Sequence, residues 1–513
     1  MIRRLTILFG LNLLVSGICF SQSPGTSPAA SVWNAVSAPA MDPAKSARVE
    51  NLEIVRDGAH IILKDGTIRF AQPVNGIVYG ASFRGSGVVH MEAPNPIEQQ
   101  QLVLFTKQNK INYEFGDATF SFTDGLFDEI AKQVKWQTPS TTDDLYASRQ
   151  KTREDLGQSA IPRIVQGILS SDHKRTAFFL ADLKLSGKDW MEIVDDSLEA
   201  EDINVGRWVD VGAFRSFDVW VSFPSAGKTS AAAWSDPQAK EDFSIRSFTI
   251  DSSVTPNAEL HATAKLEIEP RLAGQNLLLF NLDSNLRVES VKDEKGTALT
   301  YYQSREGKDR IQSYGDYLAV ILNQPLTPGT PISLEFKYGG KRAIQKAGNG
   351  NYFCESAGWY PDRPNSFSTK ANFDLTFHSP KNSLLVATGE KTSETVDGNI
   401  RITTWKSEMP LAVAGFAYGS YKITNDKAGD VAVDIYANRE PDDVMMSVQR
   451  YFESGQAEGA VGSLSPSIMA KTMGTEMANT IRVFSNFFGP YPYKHLSVTS
   501  LPLSYSYGQG WPA

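Results

Sequence analysis

A chain of 513 residues with 41% hydrophobic residues can bury several cores, about three at ordinary domain size, and this excludes a disordered or fibrous protein. Its 58 acidic residues outnumber 50 basic ones, for a formal net charge of −8. No cationic surplus is left for phosphate contacts, so nucleic acid is excluded as an expected partner.

The chain opens with Met1 to Arg4 and the apolar run Leu5 to Phe20, the charged start and short hydrophobic core of a secretory signal peptide. Gly10, Asn12, Ser16 and Gly17 interrupt the run, which is too short for a retained membrane anchor. Cleavage near Ser21 or Ser23 is expected to remove residues 1–23 and export the protein to a periplasmic or extracellular site, with no membrane span in the mature chain. Ile18 before Cys19 argues against a lipidation signal. Cys19 leaves with the signal, so Cys354 has no intramolecular disulfide partner and burial must hold the fold.

Residues 24–47 are rich in Ser, Ala and Pro without a sustained apolar period, and read as a linker. From 48 to 240 short β-branched runs predict a β-rich domain, with tight turns at Asp57-Gly58 and Asp65-Gly66, strand-like runs at 101–122 and 176–223, and one helical stretch near 140–156. A second β region follows. In "ELHATAKLEIEP", Leu260, Ala262, Ala264, Leu266 and Ile268 alternate with polar residues, the period of a strand with one buried face. Eight further runs between 276 and 424 behave similarly, which points to sandwich-like sheets. After about Asp430 the pattern changes to helical spacing, at 440–455 and again at 467–489. There Met473, Met477, Ile481 and Phe484 form a stripe read as core, and Gly489-Pro490 ends the helix.

The six histidines lie at least thirty positions apart, so no H-E-x-x-H pair places two imidazoles one helical turn apart on a metal. No C-x-x-C or G-x-S-x-G occurs. "GSGVVH" from Gly85 and "GNGN" from Gly348 read as turns rather than phosphate cradles. The acidic group Asp195, Asp196, Glu199, Glu201 and Asp202 offers hard oxygens to calcium, but its spacing fits no EF-hand loop and it reads as a solvated acidic loop.

From 246 onward, "FTIDSSVTPNAELHATAKLEIEP", "YGG" at 338–340, "FCESAGWYPDRPNSFSTKANFDLTFHSP", "LLVATGEK" and "AGFAYGSYKI" resemble the amino-terminal β domain of aminopeptidase N-like zinc metallopeptidases. "RVFSNFFGPYPYKHLSVTSLP" resembles the opening of their thermolysin-like catalytic domain. Trp359-Tyr360-Pro361 and Phe488-Gly489-Pro490-Tyr491-Pro492-Tyr493 carry most of the likeness, which spans about half the chain. Residues 48–240 match no family by their residues; their strand runs, with the resemblance from 246 onward, make a mainly β protein the expectation: two β-sandwich-like domains, 48–240 and 246–424, followed at 430–513 by what the resemblance implies is the start of an α+β catalytic domain. The resemblance also implies a peptide substrate and a zinc ion held by residues beyond Ala513, with none bound by this chain.

In that family a glycine-rich loop lines the cleft, and laying "GQGWP" over it assigns Gly508, Gln509, Gly510 and Trp511 to substrate binding. Trp511 then stands where the family carries the Glu that holds the substrate's amine, and Glu355 occupies a place comparable to a second amine-binding residue. With no metal ligands or general base, the chain by itself is expected to be inactive, and its ending is expected to reflect truncation, from an incomplete gene or an assembly edge. The competing expectation is a noncatalytic exported β-rich protein that binds a peptide or a partner on the same scaffold.

Overall fold

Alternation of apolar and polar residues, reinforced by β-branched side chains, makes most of this chain strand, and the fold is mainly β. The computed structural model describes residues 28–137, 144–185, 190–199, 201–211, 214–225, 241–304, 316–347, 350–354, 357–364, 370–439, 446–447, 450–451, 454, 466–501 and 510–511. Among these, no helix is long and apolar enough to cross a membrane.

The first unit is one antiparallel sheet. Its strands are β1 (Met41–Arg56), β2 (Ala59–Ala71), β3 (Gly80–Glu92), β4 (Lys110–Phe122), β5 (Lys135–Trp136), β6 (Phe178–Leu185), β7 (Trp190–Asp196), β8 (Ile203–Val211) and β9 (Phe214–Phe223). They run in the order β5-β1-β2-β3-β4-β6-β7-β8-β9. In a flat sheet β4 and β9, four strand spacings apart, would sit roughly 19 Å from each other. Yet the rings of Tyr113 on β4 and Trp220 on β9 are 6.1 Å apart. The sheet therefore curls on itself, reaching the two-layer packing of a sandwich with a single sheet. Inside the curl Phe83, Phe120, Phe179 and Val205 form one core. Of the helices α1 (Pro28–Ser37), α2 (Pro96–Thr106), α3 (Leu126–Ala131), α4 (Leu145–Asp155) and α5 (Ile161–Leu169), α2 and α3 add Leu102, Leu126 and Ile130 to that core. The others cover the opposite face, where Tyr79 and Leu180 point.

Four readings of this region are corrected. Residues 28–47 are not a linker: Ala29, Val32, Trp33 and Val36 recur at helical spacing on the buried side of α1, and β1 begins at Met41. Residues 101–106 end α2 rather than begin a strand, because Asn95 caps the helix by accepting from the Ile97 and Glu98 amides (both 3.0 Å) with Pro96 at its first position. Asp65-Gly66 lies within β2, not in a turn. A Cβ on Gly66 would fall 2.8 Å from the Gly85 Cα, so glycine serves a close strand approach. Gly85 to Gly87 likewise sit within β3, at a register shift against β4. Asp57-Gly58 does turn β1 into β2, and α4 falls inside the expected helical stretch.

The second unit contains β10 (Phe243–Val254), β11 (Glu259–Pro270), β12 (Leu277–Leu282), β13 (Leu286–Asp293), β14 (Thr300–Gln303), β15 (Asp316–Ile321), β16 (Ile332–Lys341), β17 (Ile344–Lys346), β18 (Tyr352–Cys354), β19 (Asn372–Pro380), β20 (Leu384–Ala387), β21 (Glu390–Asp397), β22 (Ile400–Lys406) and β23 (Phe416–Gly419). A seven-stranded sheet, β13-β16-β11-β10-β19-β22-β21, shares one hydrophobic core with the three-stranded β12-β15-β14 and the four-stranded β17-β18-β23-β20. The expected alternation on β11 is present, with Leu260, Ala262, Ala264, Leu266 and Ile268 all buried.

In the last unit β24 (Tyr421–Ala428) and β25 (Val431–Asn438) form a hairpin. The chain then passes through α6 (Pro466–Phe488) and returns as β26 (His495–Thr499), parallel to β25. The boundary expected at 424 falls inside β24, since that strand pairs with β25. The expected α6 stripe is also displaced. Ala470, Ala478 and Ile481 are buried against the hairpin, where small side chains allow close approach, while Met473 and Phe484 are exposed. The helix expected at 440–455 lies largely outside the described residues.

Candidate functional site

The aromatic-Pro motif follows β18 through a turn of 3₁₀ helix, Ala357–Trp359. Trp359 and Tyr360 are fully buried. The Trp359 indole donates to the Ala414 carbonyl at 2.8 Å, and the Tyr360 hydroxyl accepts from the Ala414 amide at 3.3 Å. Trp359 meets Phe416 edge-on at 5.0 Å, and Tyr360 meets Phe248 at 5.0 Å, arrangements that add to area burial. Burial raises the Tyr360 hydroxyl well above the ordinary tyrosine range, so it stays protonated. These two rings are a clamp on residue 414 rather than substrate contacts.

The neighbouring residue is Gly415. Its amide donates to the Thr388 hydroxyl at 3.0 Å, and the Thr388 amide returns a bond to its carbonyl at 3.0 Å. A Cβ on Gly415 would stand 2.2 Å from the Trp511 ring, so the indole of Trp511 lies directly on this glycine backbone. Two segments some 150 positions apart, Trp359-Tyr360 and Trp511, thus converge on residues 414–415. Gly510 is exposed, and among the described residues no atom lies within 4 Å of where a Cβ would project. Of the other expected site residues, Glu355, Gly508 and Gln509 lie outside the described residues.

The Phe488–Tyr493 segment turns at Gly489, whose φ of +89° suits glycine. Tyr491 packs on the core beneath α6 and Tyr493 on that of the second unit, so the segment joins the two. Lys494 continues this junction with its ammonium 3.3 Å from Glu390 and 3.7 Å from Glu408. Beside it, Met477, Ile481, Phe484, Phe488, Tyr491 and Leu496 line an apolar groove of about 270 Å³.

The described residues do not fit a zinc ion. Among the described residues no three His, Cys, Asp or Glu side chains come together as a metal group. The register does bring His60 opposite His90, and Glu53 holds the His60 Nδ1 at 2.7 Å, but this remains a pair of imidazoles on an exposed sheet face. The acidic loop is occupied by protein groups: Arg163 forks onto Asp196 (2.6 and 2.7 Å), and Asp202 accepts from the Ser225 amide and hydroxyl. Cys354 is buried and in no disulfide.

Sequence reasoning missed a buried charge cluster under α4. Arg149 approaches Asp182 at 2.8 Å and Glu192 at 3.3 Å, while Arg153 reaches Asp182 at 3.2 Å and contacts Glu192 more closely still. Desolvation pushes the Glu192 carboxyl up to about 7 against the pull of Arg153. At Asp182 burial acts in the same direction, but Arg153 and Arg149 outweigh it and hold the carboxyl below the ordinary value. No motif announces this cluster; the Arg149 and Arg153 spacing on one helix face was its only trace.

No protein-family model and no curated protein matches the sequence. Among solved structures the chain is similar to an M1 zinc metallopeptidase from Deinococcus radiodurans, at 18% identity and a TM-score of 0.37, covering 52% of this chain and 57% of that one. A point mutant of that enzyme bound to a Tyr-Ser-Ala substrate matches at the same identity and score, with 58% of it covered. A two-domain M1 zinc metallopeptidase mutant bound to L-arginine is similar at 18% identity and a TM-score of 0.37. The chain thus spans less than two thirds of these structures.

Proposed function

We propose that this chain is the amino-terminal portion of an exported zinc metallopeptidase of the aminopeptidase N-like kind and supplies one wall of its peptide cleft. The observation that carries the reading is the seating of Trp511 on Gly415, beside the residue that Trp359 and Tyr360 clamp. The aromatic-Pro motif and the segment laid over the family's glycine-rich loop thereby become one physical unit. In this reading Gly508, Gln509 and Gly510 present backbone to an extended peptide, and open space at Gly510 lets its main chain approach closely. Glu355 would meet the substrate's amine. Zinc would polarise the scissile carbonyl, and its ligands and the general base would come from residues outside 1–513.

Trp511 favours a second reading. An ammonium group facing an indole where a carboxylate is needed loses most of its stabilisation, so a noncatalytic exported protein that binds peptides or a partner is the alternative. Reading the gene past codon 513 separates the two. A continuing frame that encodes H-E-x-x-H, with a product that binds one zinc per chain and cleaves an aminoacyl reporter, supports the peptidase. A frame that continues for several hundred codons without that motif refutes it.

A further inference from the structure

The loop carrying the aromatic-Pro motif is gripped from two directions. On one side are the Ala414 contacts. On the other lie groups that lead into the first sheet unit, whose contribution to the site no motif suggests.

Arg363, two residues beyond Pro361, places one guanidinium nitrogen 2.8 Å from Glu241 and another 3.7 Å from Asp242, and lies over the Phe243 ring at 5.2 Å. Glu241 and Asp242, buried where the chain enters β10, hold no more than 6% side-chain exposure. Asp242 also accepts at 2.7 Å from the Gln166 amide on α5, and the Gln166 carbonyl oxygen accepts from Arg163 at 2.9 Å. Arg163 in turn forks onto Asp196 at the end of β7.

A second path runs beside it. α5 packs on β12, and β12 bonds the loop through the Asn281 and Asp362 amides (2.7 and 3.1 Å) and through the Asp283 amide to the Gly358 carbonyl at 2.8 Å. The links are buried or half-buried and joined by hydrogen bonds, ion pairs or packing, the condition under which a small displacement is passed on rather than absorbed.

We propose that the first sheet unit acts as a positioning element for the aromatic-Pro loop, its α5 holding Asp242 and Arg363 so that the Trp359 clamp and the Gly415 seat of Trp511 keep one arrangement. Gln166 and Arg363 are positioning residues that touch no substrate. That this tunes a peptide cleft rests on the function proposed above; the mechanical coupling does not.

Spatial continuity alone does not establish coupling, so the test is a double-mutant cycle read far from the first substitution. Native-state hydrogen exchange of the whole chain would be followed at the Asp362, Ala414 and Gly415 amides for Gln166→Ala, Arg363→Met, the double variant and Ile61→Val. The last is a control that weakens the first unit's core without touching the relay. Gln166→Ala is expected to speed exchange at all three amides by about tenfold, the usual worth of a hydrogen bond to a charged partner. Arg363→Met should do the same, and the double variant should add less than the product of the two. Arg363→Lys, which keeps the charge, should recover part of the loss.

Exchange within twofold of wild type at all three amides in Gln166→Ala would overturn the proposal, as would an equal acceleration by Ile61→Val. If Gln166→Ala fails to fold, additive behaviour of Arg163→Lys with Arg363→Met would overturn it equally. A gene lacking the zinc motif would remove the peptidase reading and leave these exchange outcomes as decisive as before.

Discussion

Replacing Glu192 by Gln should abolish a pH dependence that the buried cluster builds into the first sheet. Glu192 sits beside Asp182 with two arginines between four strands and a helix, and burial moves its carboxyl from 4.5 to about 7. The folded state therefore binds this proton more tightly than the unfolded chain does. The resulting stabilisation is fully present below about pH 4.5 and is lost as pH rises through about 7. Its full size is about 3 kcal/mol, from 1.36 kcal/mol per unit of pKa. Asp182, held below its ordinary value, acts with the opposite sign but only at pH below 3.8. Because a multi-unit chain does not unfold in one step, the measurement should be local: exchange of β6 and β7 amides in wild type and Glu192→Gln, compared at each pH from 5 to 8. The protection ratio of wild type to variant should fall on the order of a hundredfold across that range. A ratio that stays constant within threefold, or that rises, would refute the assignment of this proton to Glu192.

Trp359→Phe removes the donor to Ala414 and leaves a small void, so it should cost about 2–3 kcal/mol in the second unit, read as a lower urea midpoint. Gly415→Val drives a side chain into the Trp511 ring, so in fluorotryptophan-labelled protein one of the nine Trp resonances should move to a solvent-exposed shift in fluorine NMR. Asn95→Ala deletes a helix cap and should lower the stability of α2 by about 1 kcal/mol, seen as faster exchange at the Ile97 and Glu98 amides. Phe488→Ser, at a residue 83% exposed, should leave the thermal midpoint within a degree or so.

The amino-acid order by itself determined strands of the second unit such as β11 and β19, because period-two alternation is a local property and each of these buries one face. It also determined the end of α6, since Gly489 supplies a positive φ that few other residues adopt. Local pattern failed at α5, which buries seven of its nine residues and so loses the contrast that marks a face; β6, also buried along most of its length, still fell inside the strand-like run expected at 176–223. α1 was hidden for another reason: its four buried residues occupy too few turns to stand out from a Ser-Ala-Pro background. Only tertiary structure decided that the first sheet curls, that Arg149 and Arg153 meet two carboxylates on different strands, and that Trp511 rests on Gly415. Each of these is a contact between residues far apart in the chain, set by how whole sheets pack, and no local window of sequence encodes it.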